Sequence, residues 1–335
     1  MKKRLIPVLI AVGFGFEATA QAPQFSQFYT NPIFQNPALA GDAGAGRFIV
    51  NYRNQWQSVG IPYQTMAASF DTYAEDAQVG LGIQLMHDRR GAFMKSNSVA
   101  GQVSRQFVLD ANSYYRLTPG LQAAWVSNQW NGSDLTFVAQ YATGMPDPLA
   151  QPDWTDNRLA VSSGLRFDYD PQTDHEASYW AGISYHNMGY RNDDWLRERW
   201  GLQMGAQFPL GASPFSHGYG RDLDRESALS LALQLRRQGV NKQLDVGANL
   251  IFSPLLFGLW YRGLLVDPKR RDALIGTIGW ARDKLLFQAS YDLTISSLGT
   301  DTGTFELAVW YGLDALFSFS GKNRNARRKT RCLKY

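Results

Sequence analysis

Four histidines are the residues whose chemistry would be easiest to recognise from their spacing. They are His87, His175, His186 and His217, and no pair has the i, i+4 spacing or the cysteine neighbours of a zinc site. Serines such as Ser162 and Ser163 lack the G-x-S-x-G turn that presents a nucleophile. The sequence therefore predicts no catalytic residue, no metal site and no cofactor. We interpret the histidines as structural or surface residues and the protein as a non-enzyme.

Three aspartates in one long predicted loop, Asp147, Asp153 and Asp156, could collect a calcium ion. The regular spacing of an EF-hand loop is absent, however. A solvated loop is the simpler interpretation of this cluster.

Positive charge is concentrated at the two ends of the chain. Residues 322–335 hold seven basic side chains and no acid, and the first four residues hold three more basic ones. Without these, and without Glu17, the chain carries 23 basic and 28 acidic side chains, a net charge of −5, so nucleic acid is not an expected partner. The tail residues Arg327, Arg328, Lys329 and Arg331 are candidate contacts for acidic lipid headgroups or an acidic protein; the alternative is a disordered charged tail.

The lone cysteine, Cys332, stands in this basic tail, so no internal disulfide is possible. It is either a free thiol or a site for an intermolecular bond.

Residues 1–20 have the three parts of a secretory signal peptide. Lys2, Lys3 and Arg4 precede an apolar run over residues 5–16, and small residues end the segment at Ala20. The apolar run is too short to span a membrane as a helix. The mature chain is predicted to begin at Gln21.

The rest of the chain shows side chains that alternate with period two, as strands do. The leucines at 229, 231, 233 and 235 share one face, whereas Ser230, Gln234 and Arg236 share the other. Such segments run for about 9–12 residues, the length that a tilted strand needs to cross a bilayer. The pattern predicts an all-β fold: a transmembrane antiparallel β-barrel of about 14 strands with a polar lumen. The predicted strands are 47–55, 64–72, 78–87, 97–108, 112–126, 158–169, 177–187, 200–209, 226–237, 242–252, 255–266, 272–281, 285–294 and 304–313.

The connections alternate between long and short, as outer-membrane barrels require. Ser253-Pro254 is a predicted two-residue turn that divides the uncharged stretch 246–261 into a hairpin, because proline disfavours a helix there. The connection over residues 210–225 breaks the alternation, and is either a real periplasmic element or a sign of a missed hairpin.

Residues 24–41 differ from the strands because they carry two Asn-Pro pairs, Asn31-Pro32 and Asn36-Pro37, among aromatic anchors. This pattern predicts an irregular plug or lead-in segment, packed at the periplasmic mouth or inside the lumen. The predicted organisation is a signal peptide over 1–20, the plug over 21–46, the barrel over 47–320 and a basic periplasmic tail over 321–335. On the last strand, Glu306 faces the lumen and is a candidate partner of Arg53 across the barrel closure.

The order of short motifs resembles the PorP/SprF family of the bacterial type IX secretion and gliding machinery. The residues that carry the resemblance are Phe28-Tyr29 (many members have Gln-Tyr here), Asn31-Pro32, Asn36-Pro37-Ala38-Leu39-Ala40-Gly41, Arg53-Asn54-Gln55-Trp56, Gly60-Ile61-Pro62, Asp88 with Gly91, Gly182-Ile183-Ser184-Tyr185-His186, Gly258-Leu259-Trp260-Tyr261-Arg262, Tyr291-Asp292-Leu293-Thr294, Phe305-Glu306-Leu307 and the basic ending with Cys332. Each motif is weak by itself, but their order is specific. The resemblance covers nearly the whole mature chain.

This resemblance implies a bacterial outer-membrane barrel that binds or anchors a secreted cargo protein by the cargo's C-terminal domain. It also implies contacts with the type IX translocon, the periplasmic ring proteins and outer-membrane lipid. The candidate partner-binding residues are Phe28, Tyr29, Asn31, Pro32, Asn36, Pro37, Arg53, Gln55 and Trp56. The alternatives are a structural plug without a partner, a transport barrel for hydrophobic or small solutes, and a soluble secreted β-protein.

Overall fold

A computed structural model of the chain describes residues 23–57, 60–135, 140, 144–145, 152–171, 176–191, 196–212, 226–264, 271–282, 284–295 and 303–313. The predicted signal peptide and the predicted basic tail lie outside these described residues.

The strands form one closed antiparallel barrel. They are β1 Arg47–Gln55, β2 Tyr63–Ala74, β3 Val79–Arg90, β4 Met94–Arg105, β5 Phe107–Val108, β6 Tyr115–Trp130, β7 Trp154–Tyr169, β8 Ser178–His186, β9 Arg199–Ala212, β10 Glu226–Gln238, β11 Asn241–Phe252, β12 Leu255–Gly263, β13 Arg271–Arg282, β14 Leu285–Thr294 and β15 Thr304–Gly312. Because β4 and β5 both pair with β6 and are separated by Gln106 alone, they form one crossing. The sheet closes where β1 pairs with β15, so fourteen crossings make the barrel, as the sequence predicts.

Alternation of side chains decides which face of each strand meets lipid. Leu231 and Leu235 on β10 are 42% and 39% exposed on the outside, whereas Ser230 and Gln234 are each 1% exposed on the lumen side. Apolar side chains cover the outer surface because lipid cannot hydrogen-bond a polar one. The described strands therefore enclose a polar lumen inside an apolar wall.

The two ends of the barrel differ. At one end, here called the hairpin end, β1 begins and tight turns such as Ser253-Pro254 join the strands. At the other, called the loop end, longer connections such as 131–153 and 187–198 are found. β9 pairs directly with β10, so no further strand of the barrel lies between them; the connection, residues 213–225, is outside the described residues.

Short helical turns precede the barrel, where the sequence predicted neither helix nor strand. Pro32 begins helix α1, Pro32–Gln35, and Pro37 begins a 3-10 turn, Pro37–Leu39; another 3-10 turn spans Phe28–Thr30. Proline suits the first position of a helical turn because its fixed φ is already helical and its missing N–H has no partner to lose there. Among the described residues, no helix is long and apolar enough to cross a membrane.

Candidate functional site

The segment before β1 fills the lumen. We call residues 23–46 the plug; every residue from 25 to 41 is buried, and Phe25, Gln27, Asn31 and Asn36 are each 0% exposed. Of the two positions that the sequence left open, the structure selects the lumen.

A carboxylate at the barrel seam holds the start of the plug. Glu306 on β15 accepts hydrogen bonds from the backbone N–H groups of Ser26, at 2.6 Å, and Gln27, at 3.1 Å. Arg53 on β1 donates to the carbonyl oxygen of Gln24 at 2.6 Å and lies 3.9 Å from the Glu306 carboxylate. The predicted Arg53–Glu306 pair is therefore confirmed, and the plug joins it across the seam.

Charges continue along the wall beside this pair. Arg262 on β12 contacts Asp245 at 2.7 Å and Asp292 at 3.1 Å, and it donates to the carbonyl oxygen of Phe25 at 3.4 Å. The Asp292 carboxylate also accepts a hydrogen bond from the Ser26 hydroxyl at 2.6 Å. Removing charged groups from water is costly unless each one has partners. These charged side chains pair with one another and hydrogen-bond to the plug.

Aromatic side chains pack the plug against the wall. The Phe28 ring meets Trp260 edge-on at 5.2 Å, and the Tyr29 ring stacks on Trp260 at 5.1 Å. The Tyr29 hydroxyl donates to Asn249 at 3.4 Å and accepts from Gln288 at 2.8 Å. Aromatic pairs of this kind add about 0.5–1.5 kcal/mol beyond the area that they bury.

The two asparagines satisfy polar groups that a plug would otherwise leave unpaired. The Asn36 amide oxygen accepts from the backbone N–H of Ala38, and its amide nitrogen donates to the carbonyl oxygens of Leu165 and Ile183 at 3.3 and 3.1 Å. Asn31 accepts a hydrogen bond from Gln84 at 2.8 Å. Asparagine thus both shapes the turns and bonds the plug to three different strands.

On the far side of the lumen, an arginine and a histidine bind plug carbonyls. Arg199 donates to the Phe34 carbonyl oxygen at 3.1 Å, and its guanidinium lies 4.6 Å from the Phe34 ring centroid. His186 donates from Nε2 to the Gln35 carbonyl oxygen at 3.0 Å. His186 is therefore one of the structural histidines, whereas His175 and His217 lie outside the described residues.

The plug leaves the lumen at the hairpin end. The backbone N–H of Gly41 donates to Asp71 at 2.9 Å, and the Arg47 guanidinium forms a bidentate ion pair with the same carboxylate. Ser104 donates to the carbonyl oxygen of Ala40 at 2.8 Å. Asp71 therefore joins the end of the plug to the beginning of the barrel.

Glycines on the wall make room for the plug backbone. A Cβ added to Gly120 would lie 2.3 Å from the backbone nitrogen of Ala38, and one added to Gly80 would lie 1.9 Å from the carbonyl oxygen of Ala40. Both clashes involve backbone, which cannot rotate away as a side chain does. These glycines let two backbones approach closely.

Substituting Gly120→Val is expected to destabilise the barrel by about 1–3 kcal/mol, because it overpacks the lumen against the plug. Urea unfolding in lipid vesicles, followed by tryptophan fluorescence, measures the change. The matched control is Gly101→Val, since a Cβ at Gly101 meets nothing within 4 Å. Equal stability of the two variants would contradict the close packing of plug and wall.

The structure separates the predicted partner-binding residues into two groups. Phe28, Tyr29, Asn31, Pro32, Asn36 and Pro37 are buried against the barrel's own wall, as is Arg53. Gln55 and Trp56 are half-buried at the loop end of β1, and the Trp56 ring lies 5.1 Å from that of Tyr63. Partner binding by these residues stays a prediction.

The order of elements also suggests that the plug and the basic tail share one periplasmic docking face; the tail lies outside the described residues, so this shared face stays a prediction. Residues 25–41 are enclosed by the barrel and bond to its wall rather than lying open at the periplasmic mouth. The physical reason is that the plug's backbone groups need partners, and the lumen side chains supply them.

Several wall residues of the site escape local sequence reasoning. Asp71, Asp245 and Trp260 contact the plug or its ionic partners, but no spacing points to them. For the two aspartates the available signal is the presence of a charged residue on the inward face of a spanning strand, where a charge must find a partner.

The aspartates of the long loop do not form a cation site in the described part of the chain. Asp153 accepts two hydrogen bonds from Ser133, and these hold the pKa of its carboxyl below the usual value. Asp156 pairs with Arg158 at 2.6 Å, and Asp147 is outside the described residues. No group of three metal-ligating side chains occurs among the described residues.

A cavity of about 30 Å³ remains between the plug and the wall, where Phe28, Tyr29, Leu39, Trp180 and Gln203 line it. A water molecule needs roughly 10–15 Å³ of such space. This cavity has room for water rather than for a solute of several heavy atoms.

Residues 17–311 match the family model of the type IX secretion system membrane protein PorP/SprF. This chain belongs to the PorP/SprF family. The match spans the plug and the strands up to the next-to-last residue of β15, so the resemblance read from the order of the motifs is confirmed. The family places the protein in the type IX secretion system, as an outer-membrane β-barrel component of it.

Solved structures give more distant likenesses to this PorP/SprF protein. The toluene transporter TbuX of Ralstonia pickettii is 13% identical with a TM-score of 0.46, and the match covers 84% of this chain and 93% of TbuX. The outer membrane protein Omp33 of Acinetobacter baumannii is 10% identical with a TM-score of 0.41, covering 81% and 100%. BamA of Haemophilus ducreyi is 11% identical with a TM-score of 0.39, covering 81% and 70%. No curated protein matches the chain.

Proposed function

We propose that this PorP/SprF protein anchors a secreted cargo protein by the cargo's C-terminal domain at the loop end of the barrel. We also propose that the hairpin end and the basic tail contact the type IX translocon and the periplasmic ring. The protein performs no catalysis; its contribution is a fixed binding surface in the outer membrane.

The single observation that carries this proposal is the occupied lumen. A barrel of fourteen strands lies between the 8-stranded barrels that side chains fill and the 16- to 18-stranded porins that hold water. Here the chain's own plug takes that space and bonds to the wall through backbone and side chains. Binding at the ends is therefore favoured over passage through the middle.

The loop end is the side that an exported cargo meets. Gln55 and Trp56 lie there, at the end of β1, and Arg53 behind them is fixed by Glu306 and by the plug. A rigid support limits the conformational entropy that binding would cost. We therefore assign cargo contact to Gln55 and Trp56, and a supporting role to the buried plug residues.

The opposite face is assigned to periplasmic partners. β15 ends at Gly312 at the hairpin end, and the basic residues Arg327, Arg328, Lys329 and Arg331 follow it in the sequence. A cluster of positive charge attracts acidic protein surfaces or lipid headgroups over about one Debye length, roughly 8–10 Å. This tail is our candidate for the contact with the periplasmic ring.

Site-specific photo-crosslinking in cells tests both faces. A photoreactive phenylalanine at Trp56 is expected to capture cargo, whereas one at Arg328 is expected to capture a ring protein. The same probe at Glu75, in the exposed turn between β2 and β3 at the hairpin end, serves as the control for cargo capture. Cargo adducts from Glu75 and none from Trp56 would overturn the assignment of the cargo face.

A further inference from the structure

We propose that the plug runs through the lumen with its amino end toward the loop end, so that Pro23 and Gln24 open on the cargo side. The route of the chain rests only on the geometry of the plug. The added claim, that the amino end forms part of the cargo-docking surface, rests on the proposed function.

The first step is the position of the plug's beginning. The carbonyl oxygen of Gln24 is held by Arg53, two residues before β1 ends at the loop end. The backbone of Ser26 is held by Glu306, two residues after β15 begins at that same end. The carbonyl oxygen of Phe25 is held by Arg262, the next-to-last residue of β12. All three wall residues lie near the loop end.

The second step is the position of the plug's other end. Gly41 bonds to Asp71 and Ala40 to Ser104, which are late in β2 and β4 respectively and thus near the hairpin end. Gly46 then accepts a hydrogen bond from the backbone N–H of Leu313, next to the end of β15. The plug therefore traverses the lumen from the loop end to the hairpin end, and β1 returns alongside it.

The third step is where burial stops. Residues 25–41 are all buried, whereas Pro23 and Gln24 are partly exposed. Burial thus stops at both ends of the plug: before Phe25 at the loop end and over residues 42–45 at the hairpin end. Hydrogen bonds of 2.6 Å, from Ser26 to Glu306 and from Arg53 to Gln24, close the space between plug and wall on the inner side of Pro23 and Gln24. Pro23 and Gln24 therefore open to the loop-end mouth.

This route has a consequence for recognition. β1 begins and β15 ends on one side of the membrane, but the amino end of the plug, Pro23 and Gln24, lies toward the other. A cargo domain seated at the loop end would meet the amino-terminal residues as well as Gln55 and Trp56. Through these residues it would contact the same segment that closes the lumen.

Cysteine labelling on intact cells tests the route. In a Cys332→Ser background, Pro23→Cys is expected to react with a membrane-impermeant maleimide without permeabilisation. The matched control, Glu75→Cys in the same background, sits in an exposed turn at the hairpin end and is expected to react only after permeabilisation. Reaction in denaturant confirms that each thiol is free, and heat-modifiable migration on a gel confirms a folded barrel.

Failure of Pro23→Cys to react on intact cells, with a folded barrel and a free thiol, would overturn the route. The functional claim is tested separately by coupling streptavidin to biotinylated Pro23→Cys. Loss of at least tenfold in cargo crosslinking from Trp56 is expected. If labelling succeeds and crosslinking is unchanged, the amino end is displayed but takes no part in docking, while the cargo face at Trp56 stands. Absence of cargo crosslinking without any label would count against the proposed function instead.

Discussion

Deleting residues 25–41 is expected to turn the closed barrel into an open pore. These residues occupy the lumen and bond to the wall at both ends, from Glu306 to Asp71. Without them, the lumen side chains hydrate and water fills the space, because a fourteen-strand wall is too wide for its own side chains to close. Liposomes that contain the variant should swell in isosmotic sugar, whereas liposomes with the intact protein should not.

The matched control removes an equal length of chain, residues 319–335, which follow the last strand. This variant should assemble and remain closed to sugar. A folded plug deletion that passes no solute would contradict the role of the plug in closing the lumen. Sugar entry through the intact protein would instead support the transport alternative.

The same deletion also tests partner binding by the plug residues. Phe28, Tyr29 and the two Asn-Pro pairs are buried against the wall, so we expect them to act through the support that they give to the loop end. Cargo display on cells should therefore fall when they are removed. If a deletion variant assembles and still displays cargo normally, this segment has no role in partner binding.

Substituting Glu306→Ala is expected to lower the free energy of unfolding by about 3–5 kcal/mol, because it leaves a buried cation without its partner. Of its two carboxylate partners Arg53 would keep Asp292, at 4.0 Å, and it would still donate to the carbonyl oxygen of Gln24. The backbone N–H groups of Ser26 and Gln27 would lose their acceptor. Glu306 is 0% exposed, so solvent cannot replace the lost interactions. Urea unfolding in lipid vesicles measures the effect.

Charge reversal shows whether the pair itself carries this stability. Arg53→Glu and Glu306→Arg should each be destabilising, and the double variant should recover part of the loss, since opposite charges again face each other at this register. Recovery should be incomplete, because the plug's N–H groups still lack an acceptor at position 306. The surface control Glu75→Arg should change stability by less than about 0.5 kcal/mol. Strict additivity of the two reversals would show that the pair is not coupled.

The wall of the barrel was predictable from local patterns. Leu231 and Leu235 alternate with Ser230 and Gln234, and a strand between lipid and a polar lumen must alternate in this way. All fourteen crossings were predicted, with ends within a few residues of those observed. The Arg53–Glu306 pair was also predictable from the sequence, because closure of a barrel with an even number of strands places the first strand beside the last.

The sequence by itself thus determined the barrel, its strands, its family and the presence of an irregular segment before β1. Only the tertiary structure decided that this segment lies inside the lumen, which way it runs and which residues hold it. The physical reason is the range of the interactions. Strand alternation is read from neighbours two residues apart, whereas Ser26 meets Glu306 across 280 positions and Arg199 meets Phe34 across 165. No local spacing encodes such contacts, since they exist only once the barrel has closed around the plug.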